Sequence, residues 1–146
     1  MTRAKNEKYI IYKPKPDRKP PDDMVLPPDL NEFLTTVTYI DDEYVKGSFQ
    51  IDCCWFWKGS DGGPQAHTHD FDEVLAFYGS NPEDPFDLCG EIEIWLDDEK
   101  YMLTRSCVVF IPAGLKHCPL IVRRADRPIF HFGIGKTGMY TREVKK

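Results

Sequence analysis

In the stretch AHTHDFDEVLAFYG, residues 66–79, His67 and His69 stand one residue apart and Glu73 follows four residues after the second. The whole chain holds four histidines, so two in three consecutive residues need a chemical reason. Imidazole nitrogens and carboxylate oxygens are donors that divalent first-row transition metals accept. They can serve one ion only if they leave the backbone on the same side. In a strand, residues of equal parity share a face. His67, His69, Phe71, Glu73, Leu75 and Phe77 then point one way, while Thr68, Asp70, Asp72, Val74, Ala76 and Tyr78 point the other. Read as a helix, the two histidines would lie about 200° apart and no face would be coherent. The spacing therefore predicts a strand that aims three potential ligands into an interior and leaves Asp70 and Asp72 on the surface.

The elements that must position these residues follow from composition and punctuation. A chain of 146 residues suits one domain with a real core. Twelve prolines and nineteen aromatic residues (nine Phe, seven Tyr, three Trp) lean toward strands and loops. The net charge of -5 carries no basic footprint, which argues against nucleic acid as a partner. No apolar run approaches the roughly 20 residues of a membrane span, and the start MTRAKNEKYI lacks a signal-peptide core, so no membrane association and a cytoplasmic address are expected. Five cysteines without a CxxC pair argue against a disulfide framework or a zinc ribbon and read as buried free thiols.

Residues 1–35 read as a proline-rich arm ahead of a barrel domain at 36–140. Within the arm, Tyr9, Ile10, Ile11 and Tyr12 form an apolar segment suited to an edge strand, and PDLNEFL to one helical turn capped by Asp29. TTVTYIDDEYVKGSFQIDCCWFWKG reads as strand, acidic turn, strand. EIEIWLDDEKYMLT reads as a hairpin around Asp97 and Asp98, SCVVFIP as a short buried strand, and HCPLIVRR and DRPIFHFGIG as two last strands before a tail, TREVKK. Short strands with turn signals between them indicate a sandwich or barrel.

A metal in such a barrel needs a ligand from a neighbouring strand. PAGLKH supplies one: Pro112 and Gly114 fix a sharp turn and His117 is the first ligand-type side chain to emerge. At this point the sequence resembles the cupin superfamily, whose motifs are G-x5-H-x-H-x3,4-E-x6-G and G-x5-P-x-G-x2-H-x3-N. HTHDFDE matches the histidines and glutamate of the first, and PAGLKH the proline, glycine and histidine of the second, over roughly residues 50–134. Asp61, Ser106 and Ile121 stand where the pattern has Gly, Gly and Asn, and Gly79 comes one residue early; none is a ligand position. The resemblance implies an all-β, cupin-type jelly-roll barrel, with His67, His69, Glu73 and His117 holding one divalent transition metal, Fe, Mn, Ni, Cu or Zn.

Cupins with this ligand set include dioxygenases, decarboxylases and isomerases. The resemblance therefore implies an enzyme acting on a small oxygen-bearing molecule, the alternative being a barrel that binds or senses such a molecule without chemistry. His131 reads as a hydrogen-bonded core histidine or a pocket residue, and Trp55 and Phe77 as core or cavity wall. Arg105, Lys116, Arg123, Arg124 and Arg127 are expected mostly to be solvated or paired. One of them, with Arg105 and Arg123 foremost, is the candidate to clamp a carboxylate or enolate at the cavity mouth. A homodimer built through the apolar arm is the expected assembly.

Overall fold

The structure, a computed structural model, describes residues 4–19 and 26–144. The strands are β1 (Leu34–Ile40), β2 (Gln50–Phe56), β3 (His67–Thr68), β4 (Glu73–Gly79), β5 (Asp87–Leu96), β6 (Glu99–Arg105), β7 (Cys107–Ile111), β8 (His117–Ala125), β9 (Ile129–Gly135) and β10 (Glu143–Val144). They form two five-stranded antiparallel sheets, β1-β2-β9-β4-β7 and β10-β3-β8-β5-β6, which face each other as a jelly roll. Among the described residues the chain is all-β apart from helix α1 (Leu30–Phe33) and one 3-10 turn (Glu7–Tyr9). No helix among the described residues is long and apolar enough to cross a membrane.

The alternation that makes each strand two-faced puts its apolar side between the sheets. Phe77, Ile92, Ile94, Ile111, Val122 and Ile129 are almost wholly buried there. Each contributes about 1.5–3 kcal/mol of burial. The hairpin around Asp97 and Asp98 forms as its sequence indicates, with Asp97 at φ +55°, a conformation that Asp tolerates better than a β-branched residue would. Gly114 adopts φ +87° in the PAGLKH turn, so the chain delivers His117 directly into β8.

Four local expectations are corrected. Residues 66–79 are not one strand: the pairing breaks between Thr68 and Glu73, β3 joining the second sheet and β4 the first. The chain crosses from sheet to sheet in that gap, yet His67, His69, Phe71, Glu73, Leu75 and Phe77 all remain buried. Tyr9–Tyr12 is no edge strand; Tyr9, Ile10 and Tyr12 are exposed, and the arm meets the barrel through an isolated bridge from Pro14 to Tyr39. Residues 20–25 of the proline-rich arm lie outside the described residues. Asp29 makes no side-chain cap on α1, because Lys58 takes its carboxylate at 2.6 Å. Finally, the supposed tail folds back, and its Glu143 and Val144 pair with Thr68 and His67 as β10.

Candidate metal centre

Two strands neighbouring in sequence, β3 and β4, and the sequence-distant β8 build the site. β3 brings His67 opposite His117 at the start of β8, as directly paired residues. His69 follows in the crossing segment, and Glu73 opens β4 on the facing sheet. The three imidazoles pack mutually edge to face or tilted, with ring centroids 4.3–5.0 Å apart. All four side chains are at least nine-tenths buried.

Each imidazole has one nitrogen anchored to a main-chain carbonyl. Nδ1 lies 2.6 Å from the Gln65 oxygen in His67, 2.6 Å from the Thr141 oxygen in His69, and 2.9 Å from the Leu115 oxygen in His117. A carbonyl can only accept, so each Nδ1 carries the proton and each Nε2 turns a lone pair inward. The Nε2 atoms of His69 and His117 lie 3.4 and 3.2 Å from the two oxygens of Glu73 and have no hydrogen-bond partner. Lone pairs thus face carboxylate oxygens in a buried space, an arrangement that is repulsive as it stands and calls for a cation. Donors about 2.1 Å from one ion sit roughly 3.0–3.4 Å from their neighbours, which is the spacing of Glu73 from His69 and His117, while His67 shares the 4.8 Å grouping with His117 but not with all three.

Electrostatics agree with that donor set. Burial, resisted by the Gln65 contact, pushes His67 down to about 4, so its ring is neutral near pH 7. Burial pushes the Glu73 carboxyl up, and only hydrogens donated by the His117 and His69 rings would hold it down at about 2; with lone pairs turned on it instead, a cation among the donors is what would keep it ionised. His69, Glu73 and His117 place their donor atoms within 4.8 Å of one another, and His67 and His117 do the same with Cys118. Cys118 would point away from the site if β8 alternated strictly from His117. Its φ of +77° breaks the alternation, and Cys118 lines the same cavity.

The cavity, about 580 Å³, opens from the histidines between the two sheets. Leu30, Leu34, Phe56, Leu75 and Leu120 give it apolar walls. Its polar groups include His131, Gln50 and Asp52, the last held by Arg18 at 2.9 Å. The strap that ends in β10 contributes Tyr140 and Arg142. The Tyr140 hydroxyl lies 3.5 Å from His67 Nε2 and its ring stacks edge-on against His69, while Arg142 lies 3.4 Å from His67 Nδ1. Burial raises the Tyr140 phenol, which therefore keeps its proton.

His131 is the one sequence-named pocket candidate that reaches this space. Its ring lies flat between Phe56 and Phe77, and Nδ1 donates to the Ala76 carbonyl at 2.9 Å. Phe77 is fully buried behind it as core. The others lie elsewhere, because their parity or their partner takes them outward. Trp55 stacks on Trp57 and meets Phe130 edge to face on the outer face of the first sheet. Arg123 binds Glu93, Arg124 binds Asp126, and Lys116 binds Asp98. Arg105 and Arg127 are exposed, away from the cavity. Among the described residues, the cations that do line the cavity are Arg18, Lys19 and Arg142, from the arm and the strap. No motif marks them, since their positions depend on how both ends of the chain fold back.

Solved structures share this architecture. A cupin-like protein from Thermotoga maritima matches with a TM-score of 0.51 and 16% identity, over 77% of this chain and 74% of its own. A recombinant oxalate oxidase in complex with glycolate matches with a TM-score of 0.51 and 13% identity, over 77% of this chain and 55% of its own. Peruvianin-I, described as a cysteine peptidase from Thevetia peruviana latex, gives 0.55 and 16%, over 97% and 80%. No protein-family model and no curated protein matches the chain. At these identities the likeness is one of fold.

Proposed function

We propose that this chain, a cupin in fold, is a metal-dependent enzyme whose His67, His69, Glu73 and His117 hold one divalent transition metal and whose substrate is a small organic anion. The observation that carries the reading is the pair of buried, unpartnered Nε2 atoms facing the Glu73 carboxylate, with every Nδ1 anchored from behind. A metal held there would supply Lewis-acid or redox chemistry to an oxygen-bearing ligand, of the dioxygenase, decarboxylase or isomerase type.

The chain's own groups define the rest. Arg18, Lys19 and Arg142 outnumber Asp52 and Glu73 in the lining, so the cavity is locally cationic in a chain of net charge -5. A carboxylate is the group that an arginine fork and a protonated phenol recognise together, which gives Arg142 and Tyr140 the orienting role. Leu75, Phe56 and Leu120 exclude water from an apolar body behind that carboxylate. His131 Nε2, left as an acceptor by the Nδ1 bond, takes a donor on the ligand.

Glycolate, the ligand of the oxalate oxidase above, is a suitable first probe. The chain is loaded with Fe(II), Mn(II) or Zn(II), its metal content is measured, and it is incubated in air with short-chain carboxylates while products are followed by mass spectrometry. About one metal per chain is expected, with turnover that is abolished in His117→Ala and reduced in Tyr140→Phe and Arg142→Gln at full metal content. Failure to bind metal overturns the reading. Metal and carboxylate binding without turnover replaces the enzyme by a barrel that retains or senses its ligand.

A further inference from the structure

An antiparallel sheet with one face on the core ordinarily turns polar side chains to water on the other. The second sheet does so, with Glu91, Glu93, Lys100 and Arg123 outward. The first sheet does not. Trp55, Phe130 and Tyr78 are paired residue to residue across β2, β9 and β4 and form one outward row. In the next row Phe132 and Val108 flank Ala76, which their bulk hides completely from solvent. Beyond it lie Ile134, Val74 and Phe110. Strand β1 adds Thr35, Thr38 and Ile40 in register, so no charged side chain stands on the outward face of any of the five strands.

Aromatic stacking joins the face into a continuous surface. Trp57, Trp55, Phe130, Phe132 and Tyr78 each meet the next ring, centroid to centroid, at 5.0–6.1 Å. Phe110 is 59% exposed, Val108 52%, Trp57 40% and Tyr78 39%. A monomer rarely leaves so large an apolar patch in water. The arm does not account for it: Pro14 bridges the β1 edge, and Arg18 then pairs with Asp52 on the cavity side.

We propose that this face joins two copies of the chain back to back. Strands about 4.8 Å apart and outward residues about 6.8 Å apart along each strand give three rows over five strands roughly 500 Å² of projected area. Two copies therefore bury roughly 1,000 Å² over the strands alone, the lower bound for a specific protein interface and above the size of ordinary lattice contacts. Sheets stack face to face about 10 Å apart by interdigitating such side chains. An uncharged surface fits itself about a twofold axis, because every apolar row meets an equivalent row and no charge is desolvated. It offers nothing to recognise a nucleic acid or a charged peptide. The surface lies on the opposite side of the first sheet from the metal-site residues, so the pairing stands or falls independently of the proposed chemistry.

Sedimentation velocity over a dilution series tests the pairing. The wild-type chain is expected at twice its 16.9 kDa mass, and Phe110→Lys and Val108→Lys at the single mass, with unchanged far-ultraviolet circular dichroism and bound metal. Both sites are more than half exposed, so lysine there is tolerated by a monomer. If one variant folds poorly the other decides, and Trp55 and Trp57 emission on dilution of the wild type reads the same equilibrium without mutation. Tyr12→Lys, in the arm, is expected to leave the dimer intact. A wild type monomeric at all concentrations overturns the proposal, as do lysine variants that remain dimeric. A monomer that instead floats with phosphatidylcholine vesicles also overturns it and makes the face a membrane contact.

Discussion

Glu73 lies between two imidazole nitrogens that offer it no hydrogen, so a cation shared with them is what would keep it ionised. Glu73→Gln keeps the shape and removes the charge. Metal affinity, read by competition with a chromophoric chelator, is expected to fall more than the roughly 10–100-fold that loss of an outer partner costs. Cys118→Ser is expected to keep one metal per chain, because Glu73 and the three imidazoles complete the donor set without the thiol. His131 tests burial instead of ligation. Burial holds its imidazole below the ordinary 6.5, with Asp52 and the Ala76 contact opposing. The unfolded chain therefore takes up a proton near pH 6.5 while the folded chain does not. The associated stability is complete above that pH and declines as pH falls toward the folded value. Urea midpoints of the metal-free chain should drop less on acidification below about pH 6.5 in His131→Gln than in the wild type.

At the scale of elements, the strap and the sheet crossing matter most. The strap reaches the site through a main-chain atom, the Thr141 oxygen that receives the His69 proton. Removing residues 139–146 is expected to weaken metal binding by about 10–100-fold, with far-ultraviolet circular dichroism nearly unchanged. Nothing in TREVKK advertises this, since two paired residues are too few for a period and a carbonyl leaves no mark in a sequence. The break between β3 and β4 was equally hidden: parity keeps the same side chains inward whether the chain continues in one sheet or crosses to the other. The hairpin of β5 and β6 was legible because its alternation and its Asp97–Asp98 turn are local. Glycines separate the two kinds of constraint. A Cβ on Gly79 would strike the Asp87 carbonyl and Leu88 where β4 meets β5, whereas one on Gly114 meets no atom. Gly114→Ala should cost about 1–2 kcal/mol from its positive φ alone. Gly79→Ala should cost more, as compared by urea unfolding.

Across the whole molecule, the two sheets close over a packed core and a cavity, so the candidate metal-site residues, the apolar walls and the strap meet only in the finished barrel. Binding to the folded chain alone is then worth about 2.7 kcal/mol at a free metal concentration 100 times Kd. Thermal unfolding should show that gain on metal addition, its loss with chelator, and no gain in His117→Ala. The sequence by itself determined the strand class, the inward parity of His67, His69 and Glu73, and the turn that delivers His117, because each is encoded over a few neighbouring residues. Only the tertiary structure decided that Arg142, Tyr140 and Arg18, not Arg105 or Arg123, line the cavity, and that Trp55 faces outward. Those outcomes depend on which strands become neighbours and how both ends of the chain return to the barrel. That closure joins residues dozens of positions apart, and no local period records it.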